Sequence, residues 1–220
     1  MSDATRAKIC GLTNAEDLTV AIEAGADAVG FVVSVPVDSP REIPSERARD
    51  LIEELPPFVT SVVVTMPETP EDARSLVEEI GPDALQVHGT DPKTIEAIGA
   101  AVNVPILGAI DAEADIDRFS AGADALLVDS LDAAGAGGTG ETGDWAAARE
   151  VVRESSVPVI LAGGLTPENV GEAVAAVDPF AVDVASGVEE RGGRKDQDAV
   201  RKFLARAADT RTRSERTVEP

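Results

Sequence analysis

Cysteine and histidine are almost absent from this sequence of 220 residues. The single cysteine, Cys10, cannot form a disulfide within the chain, a composition typical of proteins from a reducing cytosol. The only histidine is His88, so we do not expect a metal site built from histidine and cysteine ligands. The sequence also lacks a run of about 18 apolar residues and an apolar N-terminal stretch of signal-peptide type. These absences predict a cytoplasmic protein with no metal and no membrane partner.

Basic residues are scarce as well. Lysine and arginine together number 19 against 41 aspartates and glutamates, which gives a net charge of −22, and only four of the basic residues are lysines. An acidic field of this size repels nucleic acids and anionic lipid surfaces, so neither is expected as a partner. Concentrated salt screens such self-repulsion, because the Debye length falls to about 3 Å at 1 M. We therefore predict a halophilic source.

Short apolar runs alternate with longer amphipathic segments along the chain. The runs are continuously apolar, which is typical of parallel strands covered by helices. Eight strands are predicted, at residues 7–10, 28–33, 60–64, 84–87, 105–109, 125–129, 159–162 and 181–183. A helix is predicted after each strand, and eight such units favour a closed barrel over an open sheet. The sequence thus predicts an α/β fold, a single (β/α)8 TIM barrel over residues 1–209, with a flexible C-terminal tail at residues 210–220.

The joints between helices and strands repeat one pattern. Gly25, Gly81 and Gly122 each precede a short Asp-Ala segment that opens a predicted strand. Glycine suits the left-handed position after a helix, because no β-carbon obstructs it there. We therefore expect all three glycines to adopt this conformation. Asn14 and Pro70 are expected in the first turns of two helices, as an N-cap and as an early proline.

Glycine-rich segments follow predicted strands 7 and 8. They contain Gly163 and Gly164 after strand 7, and Ser186 and Gly187 after strand 8. Backbone amides without side chains approach an anion closely, and phosphate sites built from these two loops recur in barrels. A tight turn would explain one such segment, but two at neighbouring strand ends favour a phosphate site.

A third glycine-rich segment, residues 132–145, follows predicted strand 6. Its composition suits neither a helix nor a strand. We interpret it as a lid that closes on substrate through backbone amides, with a disordered linker as the alternative.

Polar side chains stand at the predicted carboxyl ends of several strands, where the active sites of barrels lie. A cysteine beside helix amides can hold a lowered pKa and act as a thiolate base, although Cys10 can also be a small buried apolar residue. Asp129 ends an apolar strand, where a carboxyl group is costly unless it is hydrogen-bonded or used. A thiolate and a carboxylic acid across a barrel mouth suit a proton-shuttling isomerisation.

Arg41 is either solvated or a ligand contact, and His88 is either structural or a substrate contact.

Several of these segments resemble the phosphoribosylanthranilate isomerases of tryptophan biosynthesis. The likeness begins with Lys8-Ile9-Cys10-Gly11, a rather specific motif, and covers about residues 7–204. It continues through residues 25–31, 39–41, 86–89, 128–130, 137–140, 161–169 and 183–189. The glycine motifs among these are shared with other phosphate-binding barrels.

The resemblance implies an Amadori rearrangement of N-(5-phosphoribosyl)anthranilate to 1-(2-carboxyphenylamino)-1-deoxyribulose 5-phosphate. It implies Asp129 as the general acid and Cys10 as the general base, with Arg41 facing the anthranilate carboxylate. The partner is a small phosphosugar, and no metal or organic cofactor is implied. The candidate substrate-binding positions are Arg41, Gln86, His88, Gly138, Thr139, Gly140, Gly163, Gly164, Ser186 and Gly187.

The sequence also departs from the family pattern. Gly143 stands where an aromatic residue usually precedes Asp-Trp, and Gly108 lies near the end of strand 5, where a basic residue is common. Ala185 replaces a frequent serine, and residues 33–39 lack a lysine often found there. These departures concern ligand contacts and leave the acid–base pair intact.

Two other interpretations and the assembly state stay open. One is a different phosphosugar barrel, although a metal-dependent epimerase would need more than one histidine. The other is a non-catalytic phosphosugar-binding barrel, in which Cys10 and Asp129 would be dispensable. The chain can be a monomer or a homodimer.

Overall fold

A closed parallel barrel forms the centre of the molecule. The computed structural model describes residues 5–111, 113–129 and 144–216, with side chains up to residue 209. Eight strands pair in chain order and the first pairs with the last, which confirms the predicted barrel. They are β1 (Arg6–Ile9), β2 (Ala28–Val32), β3 (Thr60–Thr65), β4 (Ala84–Val87), β5 (Ile106–Ile110), β6 (Ala125–Asp129), β7 (Val159–Ala162) and β8 (Ala181–Val184).

Helices follow the strands and cover the outside of the barrel. They are α1 (Ala15–Glu23), α2 (Ser45–Glu53), α3 (Pro70–Ile80), α4 (Pro92–Ala101), α5 (Ile116–Ser120), α6 (Trp145–Glu154), α7 (Val170–Val177) and α8 (Gln197–Arg216). Helix α7 begins later than residue 166, where we expected it, because Asn169 accepts a hydrogen bond from the amide of Thr166 and closes a turn. Helix α8 continues to Arg216, past residue 210, and residues 217–220 lie outside the described part.

The helix ends follow the expected chemistry with one exception. Asn14 accepts a hydrogen bond from the amide of Asp17, and Pro70 occupies the first turn of α3. Gly25 and Gly81 have φ angles of 90° and 72°, as expected. Gly122 was expected to be left-handed, and this is wrong, since its φ is not positive. A β-carbon there would lie 2.8 Å from the backbone of Glu96, so close packing against α4 requires glycine at this position.

Alternate residues of each strand face the barrel interior and the helices. The inward positions form a small apolar layer of Val62, Ala84, Leu107, Leu127, Ile160, Ala162 and Ala181. The outward positions, such as Ile9, Leu85 and Val128, join the larger core beneath the helices. Because the period of a strand is two residues, the next inward residue beyond each layer residue points into the carboxyl-end mouth of the barrel. This rule places Gln86 above Ala84 and Asp129 above Leu127.

A short hairpin after β8 was not predicted. A single 3-10 turn (Ser186–Val188) leads into two antiparallel strands, β9 (Glu189–Arg191) and β10 (Arg194–Lys195). Gly193 in the hairpin turn has a φ of 74°, and its carbonyl accepts a 2.7 Å hydrogen bond from Thr13 Oγ1. A β-carbon on Gly193 would overlap the carbonyl oxygen of Pro40, so the hairpin lies directly against the loop that carries Arg41.

The glycine-rich segment 132–145 is described only at its end. Asp144 caps α6 by accepting hydrogen bonds from the amides of Ala146 and Ala147. The lid interpretation concerns residues 132–143 and lies outside the described residues. Among the residues that the structure does describe, no helix combines the length and the apolar character needed to cross a membrane.

Candidate active site

A cavity of about 250 Å³ opens at the carboxyl ends of the barrel strands. Nine of the predicted site residues line it, and they are Cys10, Arg41, Gln86, His88, Asp129, Gly163, Gly164, Ser186 and Gly187. The other three, Gly138, Thr139 and Gly140, lie outside the described residues. The sequence positions at the strand ends therefore converge on one space.

Cys10 follows β1 and lies on its inward side, two residues beyond Lys8. The residue is 6% exposed, and a β-carbon added at Gly30 would lie 2.8 Å from its Sγ. Burial raises the pKa of the Cys10 thiol, and the ammonium of Lys8 opposes this. This direction is opposite to the lowered pKa that helix amides can give a cysteine, because removal from water outweighs the local positive charges.

A chain of buried polar groups crosses the barrel interior beneath Cys10. Strands β1 and β8 pair with Lys8 opposite Asp183, and Lys8 Nζ donates to Asp183 Oδ1 at 2.9 Å. The same ammonium donates to Gln86 Oε1 at 3.0 Å, and the side chain of Gln86 contacts His88 Nε2 through its Nε2. Since Gln86 is the donor in that contact, His88 Nε2 is the acceptor, which requires a neutral ring. Burial lowers the pKa of His88 and the charge of Lys8 adds to this.

Asp129 ends β6 and faces the cavity across from β1. Its Oδ1 is buried and has no hydrogen-bond partner among the described residues. Burial raises the pKa of the Asp129 carboxyl, and the negative charge of Asp183 adds to the effect. A buried carboxyl group beside another negative charge favours the protonated form, which is the form that donates a proton.

Arg41 is held by a bidentate ion pair at the rim of the cavity. Its Nε and Nη2 donate to the two carboxylate oxygens of Glu189 at 2.9 and 2.8 Å. Lys195 Nζ donates to Glu189 Oε1 at 2.9 Å and to the carbonyl of Ala185 at 2.9 Å. Burial acts to raise the pKa of Glu189, but the contacts with Arg41 and Lys195 outweigh it, so the pKa of Glu189 is lowered. Glu189 fixes the position of the Arg41 side chain, which remains 27% exposed and lines the cavity.

The loops after β7 and β8 interlock. Gly163 and Gly164 have φ angles of 80° and 60°, which a side chain would strain. The side chain of Asn169 donates to the carbonyl of Gly164 at 2.9 Å and holds this turn. A β-carbon on Gly187 would overlap the carbonyl oxygen of Leu165. The two glycine segments therefore meet, and both contribute backbone to the same wall of the cavity.

Gly108, one of the departures from the family pattern, points away from the cavity. A β-carbon on Gly108 would lie near Ala123, Ile95 and Leu126, on the side of β5 that faces the helices. Gly108 therefore makes no contact with the cavity. Gly143 lies outside the described residues.

Sequence reasoning missed four charged residues of this site. Lys8, Asp183, Glu189 and Lys195 have side chains at most 8% exposed, and they form two ion-pair clusters around the cavity. The signal was available for two of them, since Lys8 and Asp183 interrupt apolar strands just as Asp129 does. Glu189 and Lys195 had no such signal, because they belong to the unpredicted hairpin.

The comparisons with known proteins agree with this geometry. The family model described as N-(5'phosphoribosyl)anthranilate (PRA) isomerase matches residues 7–206. The chain is similar to the N-(5'-phosphoribosyl)anthranilate isomerase of Halorubrum lacusprofundi, with 54% identity over 92% of this chain and 96% of the relative. It is 52% identical to the isomerase of the same name from Haloarcula marismortui, over the same shares of both chains. These relatives come from halophilic archaea, which supports the predicted halophilic source.

Solved structures give the same result at lower identity. The phosphoribosyl anthranilate isomerase of Thermus thermophilus superimposes with a TM-score of 0.80 at 39% identity, over 93% of this chain and 99% of that one. A second isomerase structure, in complex with reduced 1-(o-carboxyphenylamino)-1-deoxyribulose 5-phosphate, gives a TM-score of 0.75 at 36% identity. That match covers 92% of this chain and 98% of the other.

Proposed function

The chain belongs to the N-(5'-phosphoribosyl)anthranilate isomerase family of tryptophan biosynthesis, and we propose that Cys10 and Asp129 carry out the isomerisation in this barrel. The substrate is N-(5-phosphoribosyl)anthranilate and the product is 1-(2-carboxyphenylamino)-1-deoxyribulose 5-phosphate. The observation that carries the proposal is that both side chains line one cavity at the carboxyl ends of the strands. Active sites of (β/α)8 barrels lie at this face.

The reaction needs one proton donor and one proton acceptor. Asp129 protonates the furanose ring oxygen, so the bond between that oxygen and C1 breaks and the anthranilate nitrogen forms an iminium with C1. Cys10 then removes the proton from C2, and the electron pair of that C–H bond forms the C1–C2 double bond of an enolamine. The enolamine tautomerises to the ketone, and proton exchange returns Asp129 and Cys10 to their starting forms. The raised pKa of Asp129 supports its role as the acid.

Two anionic groups of the substrate are assigned to opposite sides of the cavity. Arg41 faces the anthranilate carboxylate with the part of its guanidinium that Glu189 leaves exposed. The phosphate is assigned to the glycine walls after β7 and β8, where Gly163, Gly164, Ser186 and Gly187 present backbone. Gln86 in β4 and His88 directly after it line the same cavity and are assigned to substrate binding. Gly138, Thr139 and Gly140 complete the set of binding positions assigned to this site.

The test is turnover of the two proposed catalytic variants. Loss of the anthranilate fluorescence of the substrate is followed in molar salt, together with growth of a tryptophan auxotroph that lacks the isomerase. Cys10→Ser and Asp129→Asn should each lower kcat by about 10²-fold or more, as general acid–base groups do. Asp50→Asn is the matched control, because Asp50 is exposed on α2 and should keep normal turnover. A wild-type chain that fails both assays contradicts the function, and near-normal variants contradict the roles of Cys10 and Asp129.

The assembly state and the cellular location are further parts of the same proposal. A related isomerase from Thermotoga maritima is dimeric, and monomers derived from it have been solved. We assign this chain to one of these two states, which sedimentation in molar salt distinguishes. A cytoplasmic location is proposed because the composition, with one cysteine, suits a reducing compartment. Cell fractionation tests it.

A further inference from the structure

Lys8 is a buried cation with an unusual position. It is 3% exposed, it lies on the inward side of β1, and its ammonium donates to Asp183 and Gln86. Removing an ammonium from water is costly, and a hydrophobic pair of similar volume would often stabilise a core equally well. A contribution to the stability of the fold therefore does not by itself explain why Lys8 and Asp183 form an ion pair here.

The location of Lys8 beside Cys10 indicates a role other than stabilising the fold. A β-carbon built at Gly30 would lie 3.0 Å from Lys8 Nζ and 2.8 Å from Cys10 Sγ, so both atoms border the same point in the barrel. The absence of a side chain at Gly30 leaves these two groups room to approach each other. Lys8 and Cys10 are also two residues apart on one strand, which directs both side chains inward.

We propose that Lys8 is a positioning residue, whose buried ammonium holds and stabilises the thiolate of Cys10, while Asp183 limits this stabilisation by sharing the same ammonium. The inference rests on the proposed role of Cys10 as the base. Lys8 does not touch the reacting atoms and acts only through the thiolate. Burial favours the neutral thiol of Cys10, and the ammonium of Lys8 is the counter-charge that favours its thiolate, the form that acts as a base.

The electrostatics of the surrounding groups agree with this arrangement. The charged and titratable groups that face Cys10 are Lys8 on β1, Asp183 on β8, Lys195 on β10, His88 after β4, Asp129 on β6 and Arg41 in the loop after β2. Burial is the largest influence and raises the pKa of Cys10; among the charges, Lys8 lowers it most, and Asp183 raises it. Removing Lys8 and removing the Asp183 charge should therefore move the thiol in opposite directions.

The chain is well suited to a direct measurement. Thiolate formation is followed by ultraviolet absorbance in a pH titration, and the signal belongs to Cys10 because the chain has one cysteine and no tyrosine. In Lys8→Met, the pKa of Cys10 should rise enough to lower the thiolate fraction at a fixed pH roughly tenfold. In Asp183→Asn, the pKa should fall. The control is Lys93→Met, an exposed lysine on α4, which should leave the titration unchanged.

Each outcome decides the inference. Opposite shifts in the two variants, with kcat in Lys8→Met falling in proportion to the thiolate fraction, support it. An unchanged pKa in a folded Lys8→Met protein overturns it, as does a raised or unchanged pKa in Asp183→Asn. If Lys8→Met does not fold, Asp183→Asn alone decides, since its asparagine still accepts from Lys8. Because the titration does not depend on turnover, an active Cys10→Ser variant would refute the base assignment without changing these shifts.

Discussion

The surface and the active-site region of this protein differ in how their charged groups are placed. The chain carries a net charge of −22, yet Arg41 lines the cavity, and the buried cations Lys8 and Lys195 form ion pairs with Asp183 and Glu189 beside it. Two of the four lysines are therefore buried at the site, and the other two, Lys93 and Lys202, are exposed. Surface charges act over distances that salt screens, whereas buried pairs act through fixed contacts and are screened much less. Substitutions in the cavity should thus alter kcat or KM. Substitutions at the surface should alter only the salt dependence of stability.

The largest effect is expected at Gly30, where an added side chain would meet both Cys10 and Lys8. In Gly30→Ala, the new methyl group would lie 2.8 Å from Cys10 Sγ and 3.0 Å from Lys8 Nζ, so the thiol must shift and the ammonium must give way slightly. Misplacement of catalytic groups by about 1 Å can lower turnover by about 10²-fold, and we expect a loss of this order in kcat. Steady-state kinetics at molar salt measure it, and circular dichroism should show an intact fold. Normal kcat would mean that the site tolerates displacement of the thiol.

A smaller effect is expected at the rim of the cavity. Glu189→Gln removes one of the two acceptors of Arg41 and leaves the guanidinium free to turn away. We expect KM to rise by about tenfold with kcat changed by less than about threefold, because the lost contact serves binding. Glu190→Gln is the control, since Glu190 is the exposed neighbour in the same strand. A fall in kcat without a rise in KM would contradict the binding role of Arg41.

The third prediction separates stability from activity at Asp129. Its pKa is raised in the folded state, so wild-type stability falls as pH increases from the unfolded carboxyl pKa of about 3.9 through the folded value. Asparagine does not titrate, so inactive Asp129→Asn should be more stable near neutral pH by about 1 kcal/mol. The gain should disappear at about pH 4. Urea unfolding at both pH values measures it, and an equal gain at both would contradict the titration of Asp129 as its cause.

The smallest effect is expected at the acidic surface. Replacing Asp50, Glu53 and Glu54, all exposed near the end of α2, with their amides reduces self-repulsion. At 0.1 M salt, where the Debye length is about 10 Å, we expect a gain of at most about 0.5 kcal/mol, and none in molar salt. Unfolding midpoints at both salt concentrations measure this. A changed kcat in this triple variant would contradict the expectation that surface charges do not affect the active site.

Most of the fold follows from short-range sequence signals. The continuous apolar runs predicted all eight barrel strands, because parallel strands covered by helices are buried on both faces. Gly25 and Gly81 followed from the steric demand of the left-handed position, but Gly122 serves close packing against Glu96, which depends on how two helix ends meet. The β9–β10 hairpin escaped prediction because its strands are short and charged.

The site was predictable in its positions and less so in its electrostatics. Cys10, Arg41 and Asp129 were placed by their order relative to the strand ends, which local sequence determines. The pKa direction of Cys10 was not predictable, because it depends on the degree of burial, which the local sequence does not contain. The contact between Lys8 and Asp183 needs the register of strands that are distant in sequence, and no local pattern contains that information.

The pairing of Lys8 with Asp183 has a consequence for how the protein becomes active. The two residues are 175 positions apart, and they meet where the first and last strands of the barrel join. During synthesis β1 is made first, and its lysine has no carboxylate opposite it until β8 has docked. The surroundings of Cys10 are therefore completed in the step that closes the barrel. Recovery of enzyme activity during refolding should follow closure of this junction, and a chain that ends before β8 should hold an unorganised thiol.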